Sequence, residues 1–125
     1  MPEAYTHIRT ARRTLTQSGA QAPDTPAYEM GANGPDPLFA YHVLQSAKKR
    51  PYDLAALGER MHEEQTGRFL RAMVFRAWSE VQRSYTLGFL SPYAADSTLH
   101  PYVEALCAPG GVFSGPYGHG FCEAA

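Results

Sequence analysis

Residues 66–91 read TGRFLRAMVFRAWSEVQRSYTLGFLS. Leu70, Val74, Trp78, Val81, Tyr85 and Phe89 recur at spacings of three and four, and Phe69, Met73 and Ala77 make a second apolar row beside them. That period is helical, and two adjacent rows give a helix buried over a broad face. The pattern predicts one long helix from Thr66 to Ser91 at the centre of the core. Pro92 follows at once. Proline inside a helix costs about 3 kcal/mol or more, because it lacks the N–H and crowds the preceding turn. Ser91-Pro92 therefore reads as an N-cap and N1 pair restarting a helix, which runs through Asp96 and His100 toward Pro101 and Leu106.

Working outward, Ala4, Ile8, Ala11 and Leu15 repeat at helical spacing and Gly19 follows as a stop. Residues 18–37 hold four prolines and three glycines, a loop composition unusually long for a compact domain. Pro37 suits a first helical turn, with Asp36 as its N-cap or close to it, and Leu38, Phe39, Tyr41 and Leu44 make a short apolar helix. Pro51 closes that region, and Leu54 to Met61 is a further short helix interrupted by Gly58. The tail from Ala108 to Ala125, with five glycines and two prolines, predicts poor order. No stretch alternates with the period of a strand. The fold class expected is all-α, a compact multi-helix single domain over residues 1–125.

The 125 residues fit one core. Net charge is -1, so no strong overall field recruits nucleic acid or anionic lipid; Lys48-Lys49-Arg50 reads as a solvated turn. No run approaches a membrane span of about 20 apolar residues. Met1 to Leu15 is polar and carries no apolar core of a signal peptide. Two cysteines, Cys107 and Cys122, are too few for a disulfide framework. The expected compartment is cytoplasmic, with both thiols reduced.

Five histidines are present: His7, His42, His62, His100 and His119. Asp96 and His100 stand four apart, as do His119 and Glu123, so on a helix each pair shares a face. Imidazole nitrogen and carboxylate oxygen both suit zinc, although each pair would serve equally as a helix-surface hydrogen bond. Met61-His62-Glu63-Glu64 sets a further imidazole beside acids. His7 sits one position before the apolar Ile8, and His42 has no acid at useful spacing and reads as structural. No Gly-rich phosphate loop and no Gly-x-Ser-x-Gly nucleophile elbow occurs.

Together, Met1-Pro2-Glu3-Ala4-Tyr5-Thr6-His7, Gly34-Pro35-Asp36, Arg60-Met61-His62-Glu63-Glu64 and Leu87-Gly88-Phe89-Leu90 through Asp96-Ser97 to His100-Pro101-Tyr102-Val103-Glu104, with the His119/Glu123 pair, resemble the bacterial zinc-dependent phospholipase C family. They look most like its short intracellular branch. Order and approximate spacing match over nearly the whole chain. The resemblance implies an all-helical fold, a cluster of up to three zinc ions and hydrolysis of phosphodiesters by a bound-metal hydroxide; the family is similar to the fungal zinc-dependent single-strand nucleases. It implies that Asp96 bridges two metals. His7, with the N-terminal amine and carbonyl, helps hold one of them; the amine is that of Pro2 if the initiator methionine is removed. Asp36, His62 and Asp96 hold the other, and His100, His119 and Glu123 hold the third. Asp36 is the implied general base. Metal ions neutralise a phosphodiester's charge and lower the pKa of bound water to about 7, so no serine or cysteine nucleophile is required.

Two departures from the family pattern stand out. Pro92 occupies the place of a ligand histidine and offers no donor, which leaves a set richer in carboxylate and closer to the preference of Mn²⁺ or Mg²⁺. The chain also stops two residues past Glu123, where family members continue, and Gly118 and Gly120 beside His119 weaken a terminal helix; this reads as a C-terminally shortened member. The leading expectation is a metal-dependent phosphodiester hydrolase acting on a phosphodiester or phospholipid head-group. The alternative is a non-catalytic, degenerate remnant with weak or no metal binding. A nucleic-acid-directed nuclease or binder is disfavoured by the near-neutral charge, and the oligomeric state stays open.

Overall fold

A short helix that lies within the expected loop holds the molecule together. In the computed structural model, which describes residues 2–42, 44, 46, 49, 51–118 and 122, five helices follow one another: α1 (Pro2–Ser18), α2 (Thr25–Gly31), α3 (Leu54–Glu63), α4 (Thr66–Arg76) and α5 (Glu80–Cys107). A 3-10 turn, Asp36–Leu38, stands between α2 and α3. Among the described residues there is no strand, so the chain is all-helical. No helix among them is long and apolar enough to cross a membrane.

α1 ends where its stripe ends, at Gly19, whose φ of +67° is a left-handed stop that costs glycine little. α2 corrects the reading of residues 18–37 as loop. Asp24 caps it, accepting the Ala27 N–H at 2.9 Å, and Pro26 sits in its first turn. Seven residues cannot hold a helix alone, and packing holds this one. Tyr28 is 2% exposed, and its hydroxyl donates to the Ala11 carbonyl at 2.9 Å. Arg12 reaches Glu29 with two hydrogen bonds of 2.7 and 2.8 Å. Ala11, Tyr28 and Ala32 form the buried core cluster, with Ile8, Leu15 and Ala22 packed against it.

Against α5 the same helix makes a backbone-to-backbone crossing. A Cβ on Gly31 would overlap the Tyr85 carbonyl, and one on Gly88 would overlap the Tyr28 carbonyl. The Asp24 N–H donates to Ser84 Oγ at 3.0 Å, and Ser84 is buried. Glycine at both positions lets the two backbones meet.

The expected single helix over 66–91 breaks at Ala77–Ser79. Ser79 Oγ accepts the Gln82 N–H at 3.1 Å, and Gln82 Oε1 accepts the N–H groups of Ser79 and Trp78 at 3.2 and 3.0 Å. This capping box starts α5 afresh. The first half of the stretch is not the centre of the core, since Trp78 is 79% exposed and Phe75 73%. Pro92, in turn, restarts nothing: α5 runs through it and through Pro101. The carbonyl that residue 92 would bond in a regular helix is that of Gly88, and Ser91 Oγ donates to it instead at 2.8 Å. Pro92 is buried, beneath the left-handed turn at Gly34 (φ +58°).

α3 starts at Asp53, which accepts the Ala56 N–H at 3.0 Å, and continues unbroken through Gly58, over which the Phe39 ring packs. The short apolar helix expected over Leu38, Phe39, Tyr41 and Leu44 is reduced to the 3-10 turn and to turns at 39–42 and 44. Past α5, the Phe113 N–H folds back to the Leu106 carbonyl at 3.1 Å.

The crossing yields a direct test. Gly88→Ala should lower stability by about 1–3 kcal/mol, the usual cost of forcing a methyl into packed structure. Gly67→Ala, on an open stretch of α4 with nothing within 4 Å, should raise it by about 0.5–1 kcal/mol. Urea midpoints of the two variants should move in opposite directions, and an unchanged midpoint for Gly88→Ala would contradict the crossing.

Candidate functional site

Four elements bring candidate site residues to one place. α1 supplies His7, the 3-10 turn supplies Asp36, the last turn of α3 supplies His62, and α5 supplies Asp96 and His100 one helical turn apart. They line a cavity of about 270 Å³, with Pro92 also in its wall. Asp36 does not cap a helix. Pro35 holds the N-cap position, no side chain caps the turn, and the Asp36 carboxylate instead faces two imidazoles.

The contacts form an alternating row. His62 Nε2 stands 3.6 Å from Asp36 Oδ1, and His7 Nδ1 stands 3.9 Å from Asp36 Oδ2. On its other side His7 Nε2 is 3.5 Å from Asp96 Oδ1, which is 4.0 Å from His100 Nε2. Imidazole and carboxylate thus alternate from His62 to His100 with His7 at the centre. Among the described residues, no three His, Cys, Asp or Glu side chains stand together as a ready metal-binding group; the row is a chain of pairs.

The donor chemistry nevertheless suits a cation. His62 Nδ1 lies 2.9 Å from the Gly58 carbonyl, and a carbonyl can only accept, so Nδ1 carries the proton. In the neutral ring, Nε2 then presents a lone pair toward the Asp36 carboxylate. Two acceptors facing each other call for a second proton or a positive ion between them. A backbone carbonyl fixing the far nitrogen is the usual support of a metal-bound histidine. Donors about 2.0–2.2 Å from one zinc lie roughly 3.4 Å apart at a tetrahedral angle. The two shorter contacts, 3.5 and 3.6 Å, are near that spacing and wider than a normal N–H···O bond.

Burial pushes the Asp96 carboxyl up and is the largest single influence on it. The contact with His7 and the charges of His7, His100 and His62 together outweigh burial and hold it below the usual aspartate value.

Of the remaining expected residues, His119 and Glu123 lie outside the described residues, as does Met1 with its amine. His42, expected to be structural, is absent from the cavity wall; it meets the Tyr41 ring edge-on, with centroids 4.2 Å apart. Thr66, Tyr93 and Ser97 line the cavity as well; none was given a site role from the sequence, although Ser97 belongs to a stretch that carries the resemblance. Tyr93 and Ser97 had a usable signal, since they flank the positions 89, 92, 96 and 100 that share one stripe of α5. A second cavity of about 240 Å³ shares His7, Asp96 and His100 and adds Thr10, Leu99 and Cys122.

A depressed aspartate contributes stability above the unfolded value, about pH 3.9, and loses it as pH falls through the lower folded value. Metal-free Asp96→Asn should therefore lose less stability than the parent chain across the acid limb. The effect should be modest, because the Asp96 side chain is 41% exposed. Thermal midpoints followed from neutrality to below pH 4 should converge for the two chains, and parallel curves would remove Asp96 from the acid response. No protein-family model, no curated protein and no solved structure matches the chain.

Proposed function

We propose that the chain is a divalent-metal-dependent phosphodiester hydrolase of the zinc-dependent phospholipase C type, acting on a phosphodiester or phospholipid head-group. One observation carries the reading: His7, Asp36, His62, Asp96 and His100, from four separate elements, line a single cavity in an alternating imidazole–carboxylate row. Asp36 and His62 would hold one ion, with Asp96. His7 and Asp96 would hold another, and His100 would extend the set. His119 and Glu123 remain part of the proposed set by resemblance alone. Bound divalent ions supply charge neutralisation of the phosphodiester and activation of water near neutral pH.

The chain's own residues do the rest. Asp36, half-enclosed between His7 and His62, is the proposed general base, with Oδ1 or Oδ2 accepting a proton from the attacking water. The Gly58 carbonyl keeps His62 in the tautomer that leaves Nε2 open. Leu70 and Phe89 in the wall exclude bulk water from one side of the cavity, which strengthens every charge interaction within it.

A second reading, a degenerate remnant that no longer catalyses, is favoured by Pro92, a wall residue with no donor atom where the resemblance wants a ligand.

Metal analysis separates the two. Protein stripped of metal, incubated with zinc or manganese and desalted should retain at least one ion per chain and hydrolyse bis(p-nitrophenyl) phosphate. Asp96→Ala and His62→Ala should each lower metal affinity by more than the 10–100-fold typical of losing a supporting residue. Pro92→His should raise both metal content and diester hydrolysis. A parent chain that retains no metal, with Pro92→His equally empty, would sink the hydrolase reading.

A further inference from the structure

The outer face of α4 has no part in the cavity. Between Gln65 and Ala95 four arginines, Arg68, Arg71, Arg76 and Arg83, stand against one acid, Glu80. α4 carries three of these arginines and no acid. Its buried residue is Leu70, and helical periodicity sets Arg68 and Phe75 roughly opposite it with Arg71 on the flank. All four arginines are exposed. Phe75 on that side and Trp78 and Val81 just after the helix are exposed apolar side chains, and Val74, one turn from Leu70, is half-exposed at its edge. Arg83 reaches back to the Ala77 carbonyl at 3.3 Å, so its guanidinium sits at the α4–α5 corner beside Trp78. The apolar surface continues into a shallow groove between α4 and the start of α5, lined by Phe69, Met73 and Val81.

We propose that this arginine-and-aromatic face docks the protein on an anionic lipid bilayer. The net charge of -1 predicted no such attraction, but the average conceals an excess of three positive charges over residues 65–95, bordered by the Arg60–Glu64 pair. Large exposed apolar side chains gathered in one stretch, as Phe75, Trp78 and Val81 are, point to an interaction site. Arginines ringing Phe, Trp and Val are the composition of a helix lying in the headgroup region, with rings in the acyl boundary and guanidiniums on phosphate. Trp78 is suited to that depth. Its backbone N–H is tied to Gln82 Oε1, which fixes the corner's backbone, and the residue is 79% exposed.

Charge and shape exclude the other occupants. A second copy seated face to face would set arginine against arginine. A nucleic acid would use the arginines and rings, but Val74 and Val81 offer it neither charge nor a stacking surface. The inference is independent of the metal reading, because a chain that binds no ion would still carry this face.

Trp78 is the sole tryptophan and reports directly. Vesicles of phosphatidylcholine with phosphatidylserine should shift its emission to the blue, and the shift should titrate with lipid and weaken with salt. Phosphatidylcholine alone should give little shift. Arg71→Gln and Arg76→Gln should each weaken binding about fivefold, the share of one cation at such a surface. Phe75→Ser, read by co-sedimentation, should weaken it as well while the circular dichroism spectrum stays unchanged. An absent shift, or an equal shift on neutral vesicles, would overturn the proposal. So would a lipid-independent blue shift that grows with protein concentration, which marks self-association, or Trp78 quenching by single-stranded DNA without vesicle binding.

Discussion

The architecture depends on the place where α2 and α5 cross with their backbones in contact. Gly31 and Gly88 lie at that point, each against the other helix's carbonyl. A side chain at either position would part the helices and strip cover from Tyr28, whose hydroxyl ties α2 to α1 through Ala11. One close approach thus fixes three helices. It also fixes the site, because His7 rides on α1, Asp36 follows α2 through the Gly34 turn, and Asp96 and His100 lie farther along α5. Pro92 takes its place in the same arrangement, buried beneath Gly34 midway between the crossing and Asp96.

How much of this was legible in the sequence depended on which rule won locally. α1 followed from apolar spacing and a glycine stop, and α3 was placed correctly except for the interruption expected at Gly58, which the helix runs through. α2 was hidden by the prolines and glycines around it. Asp24-Thr25-Pro26 is a cap followed by a first-turn proline, the same grammar that was applied to Asp36-Pro37 and Ser91-Pro92. Only the first of the three is a helix start, because only there does a buried tyrosine follow to anchor the turn. At Pro92 the cost of proline is offset by the Ser91 hydroxyl, a substitution visible only once the helix is built. The break at Ser79 was readable as Ser-x-x-Gln, but uninterrupted apolar spacing across it argued for continuity.

Five of the expected residues line one cavity, although several stretches of the path between them were misread. Metal-type residues are rare and polar, and their burial must be justified by partners. Their identities therefore survive errors in helix boundaries. Periodicity could not supply the order of contacts. His7 sits centrally, touching both carboxylates, because α1 lies against α2 and α5 together; its sequence neighbours give no hint of this. The proposed metal chemistry on phosphodiesters rests on the sequence resemblance and on the imidazoles and carboxylates that the cavity brings together.

The division of labour between core and cavity follows from where the apolar burial lies. Ala11, Tyr28 and Ala32 are enclosed by α1 and α2 with α5 beside them, whereas α3 and α4 contribute only Leu70 to the buried apolar residues among those described. Those two helices attach through the Phe39 ring over Gly58, the edge-on Phe69–Phe89 ring pair and the His62–Asp36 contact. The last of these crosses the seam between the well-packed part and the lightly packed part. A cation there would join α3 to the 3-10 turn and add its binding free energy to folding, since the unfolded chain has no such site. Apart from that contact, the seam holds little apolar area. The same light packing leaves the outer face of α4 rich in exposed rings and arginines. Cavity and face are therefore two consequences of one fact: the core is built by α1, α2 and α5, and the remaining helices have surface to spare for other partners.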